Sequence, residues 1–201
     1  MKKICALFFV VCIASVSFAQ IKITDTFDGV GTLNWKEYVD KEVSALIKTG
    51  KLDMEVKEKG LYISSNADLP IVIEYDFKIT MKLVFPKIKD EHFSAVLFDM
   101  DEKFNRLAFL FRENKFIACT YNNGKFNFDE GEEIKIKLPD GKNKEIEFVI
   151  EYKGGRLILS YDNIELLRWR RSVHSPYLGF MTTSRFMVDE VIIEQEYTGE
   201  E

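Results

Sequence analysis

Apolar residues stand at every second position in many short segments of this chain. Such alternation predicts β-strands that bury one face and expose the other. In the segment 106–112, the three odd-numbered residues are Leu or Phe and are expected to face a core, so Arg106 and Arg112 share the opposite face. The predicted strands are 69–84, 93–100, 106–112, 115–121, 134–138, 145–152, 156–161, 164–170 and 187–196. The segment 34–45 is the one predicted helix.

Turn signals separate these strands. Asn123-Gly124, Pro139-Asp140-Gly141, Gly154-Gly155 and Asp162-Asn163 are residue pairs or triplets typical of tight turns between paired strands. No Pro/Ser-rich linker, repeat or heptad pattern interrupts the series. Many short strands at close spacing in one domain predict an all-β fold, either a sandwich or a barrel.

The first nineteen residues have the pattern of a secretory signal peptide. Lys2 and Lys3 precede a short apolar stretch, and Ser17 and Ala19 supply the small residues of a cleavage site. We therefore expect cleavage after Ala19, a folded domain over 20–201, and a secreted or periplasmic protein. The apolar stretch is too short for an ordinary membrane span, and no span is expected in the mature chain. A buried N-terminal helix is the alternative.

The composition argues against one class of partner and predicts the character of the core. The 201 residues include 33 acidic and 28 basic side chains, a net charge of −5, which argues against a nucleic-acid partner. The 17 phenylalanines suit a strand-rich, aromatic core. Cleavage would leave Cys119 as the sole cysteine, so no internal disulfide is expected. Cys119 lies in an apolar run and is expected to be a buried, inert thiol.

Several short motifs spread over the mature chain resemble those of the concanavalin A-like lectin and glucanase superfamily, which includes laminin-G domains and family 16 glycosidases. The motifs are Asp25-Thr26-Phe27-Asp28-Gly29, Trp35, Thr49-Gly50-Lys51-Leu52, Glu74-Tyr75-Asp76-Phe77, Phe104-Asn105-Arg106, Tyr152-Lys153-Gly154-Gly155-Arg156-Leu157, Tyr161-Asp162-Asn163, Leu178-Gly179-Phe180 and Val188-Asp189-Glu190-Val191. The resemblance implies a two-sheet antiparallel β-sandwich of the jelly-roll type. It places Trp35 in the core. Fold alone does not imply an activity.

The resemblance to family 16 glycosidases raises the question of catalysis. Those enzymes carry a strand of the form Glu-x-Asp-x-(x)-Glu, and a retaining mechanism needs two carboxylates about 5–5.5 Å apart. Glu74 and Asp76 match the first half of this pattern, but Lys78 and Ile79 stand where the second glutamate belongs. The pair is incomplete, which argues against an enzyme and leaves a divergent glycoside hydrolase as an alternative.

The same resemblance bears on metal binding. No zinc motif is present, since histidine and cysteine pairs at ligand spacing are missing. Calcium prefers oxygen ligands, and related jelly rolls hold a structural calcium between their first and last strands. The resemblance therefore implies Asp25, Asp28 and Asp189 as candidate calcium ligands. Turn formation is the other role open to these aspartates.

Sugar binding requires aromatic rings and polar groups in a preformed groove. The candidate ligand-binding residues are Arg106, Arg112, Tyr121, Trp169 and Arg170. Arginines beside Trp169 could bind an acidic glycan through bidentate contacts, or they could protect an edge strand against aggregation. The sequence thus predicts a secreted, non-catalytic sandwich that binds carbohydrate at the cell envelope. A structural or protein-interaction module that binds another envelope protein is the rival hypothesis.

Overall fold

The computed structural model describes residues 18–29, 33–86, 91–112, 115–136 and 144–198. The described residues form fifteen strands: β1 (Phe18–Asp25), β2 (Tyr38–Val39), β3 (Val43–Lys48), β4 (Lys51–Val56), β5 (Ile63–Asp68), β6 (Phe77–Phe85), β7 (Ser94–Met100), β8 (Arg106–Arg112), β9 (Lys115–Asn122), β10 (Lys125–Lys135), β11 (Lys144–Lys153), β12 (Arg156–Tyr161), β13 (Ile164–Arg170), β14 (Tyr177–Thr182) and β15 (Arg185–Thr198). In these ranges no helix is long and apolar enough to cross a membrane. Most of the predicted signal peptide, residues 1–17, and the predicted turn at 139–141 lie outside them.

The strands pair in two antiparallel sheets. The larger sheet has nine strands in the order β13-β12-β11-β6-β15-β4-β3-β2, with β1 paired to the far half of β15. The smaller sheet has six strands in the order β10-β9-β8-β7-β14-β5. Side chains from both sheets meet in one hydrophobic core. This arrangement confirms the predicted two-sheet antiparallel β-sandwich.

A cluster of phenylalanines joins the two sheets at the centre of this core. The ring of Phe148, from the larger sheet, lies 5.2 Å from Phe111, 5.8 Å from Phe116 and 5.9 Å from Phe109, all from the smaller sheet. All four side chains are fully buried. The predicted inward face of the segment 106–112 is thus confirmed, as is the core position of Trp35, whose ring stacks on Phe180.

The predicted helix at 34–45 is wrong, because this segment forms β2 and the start of β3. Asp40 lies in the turn between them, where its Oδ1 accepts hydrogen bonds from the backbone N–H of Glu42 and Val43, each at 2.8 Å. The same local bonds occur at a helix N-terminus and in an Asx turn. Here the return bond from Asp40 N–H to the Val43 carbonyl closes a hairpin.

The predicted strand at 69–84 is correct only in its second half. Residues 73–75 form a turn and a bend, and β6 begins at Phe77. Before the turn, the side chain of Gln195 hydrogen-bonds both backbone groups of Val72, at 2.9 and 2.7 Å, and so replaces strand pairing. Asp76 accepts a hydrogen bond from Gly154 N–H at 2.9 Å. Glu74 and Asp76 therefore do not share a strand face.

Two predicted tight turns are confirmed by their backbone angles. Asn123 and Gly124 have φ values of 48° and 79°, and Asp162 and Asn163 have 44° and 65°. Two consecutive left-handed residues are typical of the hairpin turns that suit the twist of paired strands. The first of these turns places Phe126 directly opposite Tyr121, at one end of the smaller sheet.

Candidate functional site

The smaller sheet has a second apolar face, on the side away from the core. Its floor consists of small and apolar side chains from the four central strands: Ala95, Leu97, Ala108, Leu110, Ile117, Cys119 and Met181. Since side chains alternate along a strand, Arg106 and Arg112 lie on this same outer face of β8. The structure also places Tyr121 there, opposite Arg106 on β9. Three of the predicted ligand-binding residues therefore share one face.

The two ends of this sheet approach each other above the outer face. Ser94 pairs with Phe111 at one end of β8, and Met100 pairs with Arg106 at the other end. In a straight strand these two ends would be about 20 Å apart. Phe93 precedes the first end and Phe126 follows the second. Their ring centroids are nevertheless only 5.0 Å apart, with the rings edge to face. The sheet is therefore strongly curved, and its outer face is a groove.

We name this the aromatic groove, after the rings at its two ends: Tyr62, Phe93, Tyr121, Phe126 and Tyr177. It contains a cavity of ≈ 370 Å³. The cavity is lined by Lys59, Gly60, Leu61, Tyr62, Glu91, His92, Phe93, Tyr121, Gly124, Phe126, Met181 and Thr183. Tyr62 is 50% exposed at its mouth, so its ring is available to a ligand.

The hydroxyl groups of Tyr121 and Tyr177 in the groove are neutral donors at physiological pH. Burial and the neighbouring hydroxyl of Tyr62 raise the pKa of Tyr121 to about 12. Burial also raises the pKa of Tyr177, although Arg106 acts in the opposite direction. A neutral phenol can both donate and accept a hydrogen bond, which suits the hydroxyl groups of a polar ligand.

Arg106 stacks on an aromatic ring within the groove. Its guanidinium carbon lies 5.0 Å from the centroid of the Tyr177 ring, within the range of a cation–π interaction. The Tyr177 ring lies over Gly179, because a Cβ atom built at Gly179 would be 2.9 Å from the Tyr177 hydroxyl and 3.2 Å from its ring. Glycine at 179 thus allows Tyr177 to lie along the sheet.

We expect Gly179→Ala to displace the Tyr177 ring and to weaken its contact with Arg106. The added methyl group would lie 2.9 Å from the Tyr177 hydroxyl, which is too close, so the ring must move; the Cβ of Asn66, 3.3 Å away, must give only slightly. The expected loss of stability is about 1–3 kcal/mol, as for other overpacking substitutions. Urea denaturation and the tyrosine near-UV circular dichroism measure the two effects. An unchanged near-UV spectrum would contradict the described position of Tyr177.

Carboxylates are scarce on the floor of the groove. Strands β8, β9 and β14 contain no Asp or Glu, and β7 contains only Asp99. The oxygens of Asp99 are engaged: Oδ1 accepts the backbone N–H of His174 at 2.8 Å and of Ser175 at 3.0 Å, and Oδ2 lies 3.1 Å from the His174 ring. The floor thus has no carboxylate pair of the kind that glycoside hydrolysis requires.

The remaining two predicted ligand residues lie elsewhere. Trp169 is on β13, the edge strand of the larger sheet, and its ring packs towards the core, 6.5 Å from Phe109. Its indole N–H donates to Glu132 Oε1 at 2.7 Å. Together with Arg170 and Arg171 it lines a second cavity, of ≈ 300 Å³. The edge position of β13 agrees with the alternative that its arginines protect an exposed edge.

Two of the three candidate calcium ligands, Asp25 and Asp189, have protein partners of their own. Asp25 is 1% exposed, and its carboxylate accepts hydrogen bonds from Phe27 N–H at 3.0 Å and from the Trp35 indole at 3.1 Å. Asp189 forms an ion pair with Lys51. Among the described residues there is no group of three or more His, Cys, Asp or Glu side chains that could hold a metal ion.

Cys119 is buried in the groove floor, 5% exposed, as predicted. Burial raises the pKa of its thiol to about 12. Since the thiolate is the nucleophilic form, burial and the raised pKa favour the inert thiol that the sequence predicts.

Comparison with known proteins identifies the fold. No protein-family model and no curated protein sequence matches the chain. The structure is similar to the laminarinase from Flavobacterium sp. UMI-01, with a TM-score of 0.61, 10% identity and coverage of 85% of this chain and 97% of that chain. The laminarinase catalytic domain from Thermotoga maritima has a TM-score of 0.60 and 12% identity, with coverage of 92% of this chain and 99% of that chain. The carbohydrate-binding module CBM66 from Bacillus subtilis has a TM-score of 0.50 and 14% identity, with coverage of 77% of this chain and 90% of that chain.

These identities are low, and the likeness therefore concerns the fold. It extends over most of this chain and nearly the whole of each neighbour. The neighbours include both glucanases and a carbohydrate-binding module, so the fold does not by itself separate catalysis from binding. The chain has the concanavalin A-like jelly-roll fold that its sequence motifs resemble.

Proposed function

We propose that this protein is a secreted, non-catalytic carbohydrate-binding protein of the cell envelope, and that the aromatic groove is its binding site. The main observation in support is that exposed and half-buried aromatic rings, neutral hydroxyl groups and charged groups surround one cavity. Aromatic faces stack on the apolar faces of sugars, and the polar groups bind their hydroxyls. Export is supported by the signal-like pattern of residues 1–19.

The size of the cavity supports binding of a small or narrow ligand. Its ≈ 370 Å³ lies near the lower end of the range for ligand sites in proteins, about 300–1,000 Å³. The rim offers donors and acceptors of both charges, including Lys59, Glu91 and His92. Such a cavity suits one sugar unit, for example the end of a chain or a side branch.

The distribution of carboxylates supports binding over catalysis. The four floor strands supply one carboxylate, Asp99, and it is held by the segment that follows β13. The half-motif at Glu74 and Asp76 lies in the turn before β6, in the other sheet. Similarity to glucanases keeps hydrolysis as the second candidate, and an assay for released sugar tests it alongside binding.

Replacing Tyr62 by alanine is expected to weaken glycan binding about 5- to 150-fold, because loss of one stacking ring removes roughly 1–3 kcal/mol. The purified protein is first screened on a glycan array and by affinity electrophoresis in gels with β-glucans, mannans and acidic polysaccharides. The Tyr62→Ala variant is then compared on the polysaccharide that the wild type binds best. Release of reducing sugar from the same polysaccharides is measured in parallel.

Tyr38→Ala is the matched control. Tyr38 is also 50% exposed, but it lies on β2 of the larger sheet and hydrogen-bonds Asp40. Equal binding by Tyr62→Ala and Tyr38→Ala would place the site outside the aromatic groove. Wild-type turnover of any polysaccharide would favour a divergent hydrolase.

A further inference from the structure

Two arginines in the aromatic groove have no acidic partner among the described residues. No carboxylate in these parts of the chain lies within ion-pair distance of Arg106 or Arg112. The Nε atoms of both are buried and have no hydrogen-bond partner. Buried donors without acceptors are unfavourable and are uncommon in folded proteins.

Two of the five arginines outside the groove, all within the described ranges, bind carboxylates in pairs of hydrogen bonds. Arg168 forms two to Glu165, at 2.9 and 2.6 Å, and Arg185 forms two to Asp53, at 3.2 and 2.8 Å. The chain has five more acidic than basic residues, so carboxylates are plentiful. Their absence beside Arg106 and Arg112 in the described ranges leaves uncompensated positive charge on the groove floor.

We infer that the ligand of the aromatic groove carries an anionic group, a carboxylate or a sulfate, which binds the guanidinium of Arg106. This inference rests on the proposed function and specifies its ligand as an acidic glycan. Tyr177 covers one face of the guanidinium by stacking and so holds it in place. Arg106 is only half-buried, so a ligand can still reach part of its side chain. The planar donors of a guanidinium match the two oxygens of a carboxylate or sulfate.

The position of Arg106 fits a glycan that also occupies the cavity. Arg106 pairs across the sheet with Tyr121, and Tyr121 lines the cavity together with Tyr62. A sugar ring beside these tyrosines would thus present an acidic substituent, or an acidic neighbouring unit, to Arg106. Arg112 lies at the other end of β8, where a second acidic unit of a polymer would meet it.

The test compares the affinity of the purified protein for three polymers: polygalacturonate, dextran sulfate and neutral laminarin. We expect an acidic polymer to bind best and its affinity to fall as the NaCl concentration rises, because salt screens charge. Polygalacturonate carries carboxylates and dextran sulfate carries sulfates, so comparing the two shows which anionic group the protein binds. Arg106→Gln should reduce the affinity for that polymer at least tenfold, because a charge-assisted hydrogen bond is lost. Arg106→Lys should restore it only in part, since lysine lacks the planar fork.

Arg156→Gln is the control for net charge. Arg156 is exposed on β12 of the larger sheet, away from the groove, and its loss should leave the affinity unchanged. Binding of laminarin alone, or equal effects of Arg106→Gln and Arg156→Gln, would overturn the inference and leave carbohydrate binding standing. Binding of no polymer or array glycan would overturn both.

Discussion

Replacing Phe148 by alanine is expected to cost about 3–5 kcal/mol of unfolding free energy, because the change removes a large ring from the centre of the core. Phe148 is the ring of the larger sheet that packs among Phe109, Phe111 and Phe116 of the smaller one. It is fully buried, so its removal leaves a cavity where the two sheets meet. The measurement is the midpoint of equilibrium unfolding in urea, with the slope checked for two-state behaviour.

Phe128→Ala provides the comparison within the same residue type. Phe128 lies on β10 and is 46% exposed, so its removal should change the unfolding free energy by less than about 1 kcal/mol. A loss below about 1.5 kcal/mol for Phe148→Ala, half the lower bound for such a change, would mean that the two sheets do not meet through this cluster.

Replacing Asp25 by alanine is expected to cost about 2–6 kcal/mol of unfolding free energy. The change leaves two donors, the backbone N–H of Phe27 and the indole N–H of Trp35, buried without an acceptor, at roughly 1–3 kcal/mol each. Asp25→Asn should cost less, because the amide oxygen can still accept one of these bonds. Thermal unfolding of the wild type, Asp25→Asn and Asp25→Ala should give melting temperatures that fall in this order.

The same experiment in calcium or in a chelator separates the two roles open to Asp25. If the carboxylate acts through its two hydrogen bonds, the melting temperature of the wild type is equal in both solutions. A melting temperature raised by calcium in the wild type, but not in Asp25→Ala or Asp189→Ala, would instead support the calcium site implied by the sequence motifs.

The strands that sequence alone can predict are those with strong alternation. The segment 106–112 has the predicted ends and the predicted inward face, because its core-facing positions are all large and apolar. Strand β5 escapes prediction because its buried positions include Ser65 and Ala67, which give weak periodicity. The hairpin of β2 and β3 is easily mistaken for a helix, because the side-chain hydrogen bonds that Asp40 accepts occur both at a helix N-terminus and in an Asx turn.

The site is predictable only in part, for a physical reason. Alternation places Arg106, Arg112 and Tyr121 on one face, and the Asn-Gly turn places Phe126 beside Tyr121. The curvature that brings Tyr62 and Phe93 over the same face is a tertiary property without a local signal. Residue type alone suggests ligand binding by Trp169, yet its ring packs towards the core at the edge of the larger sheet.

The most direct test of the binding site is NMR mapping with the isotope-labelled protein and an oligosaccharide of the polymer that it binds best. We expect the largest shift changes at Tyr62, Tyr121, Arg106 and their neighbours on β8, β9 and β14. Shift changes confined to Trp169, Arg170 and Arg171 would place the ligand in the second cavity and would contradict the assignment of the aromatic groove.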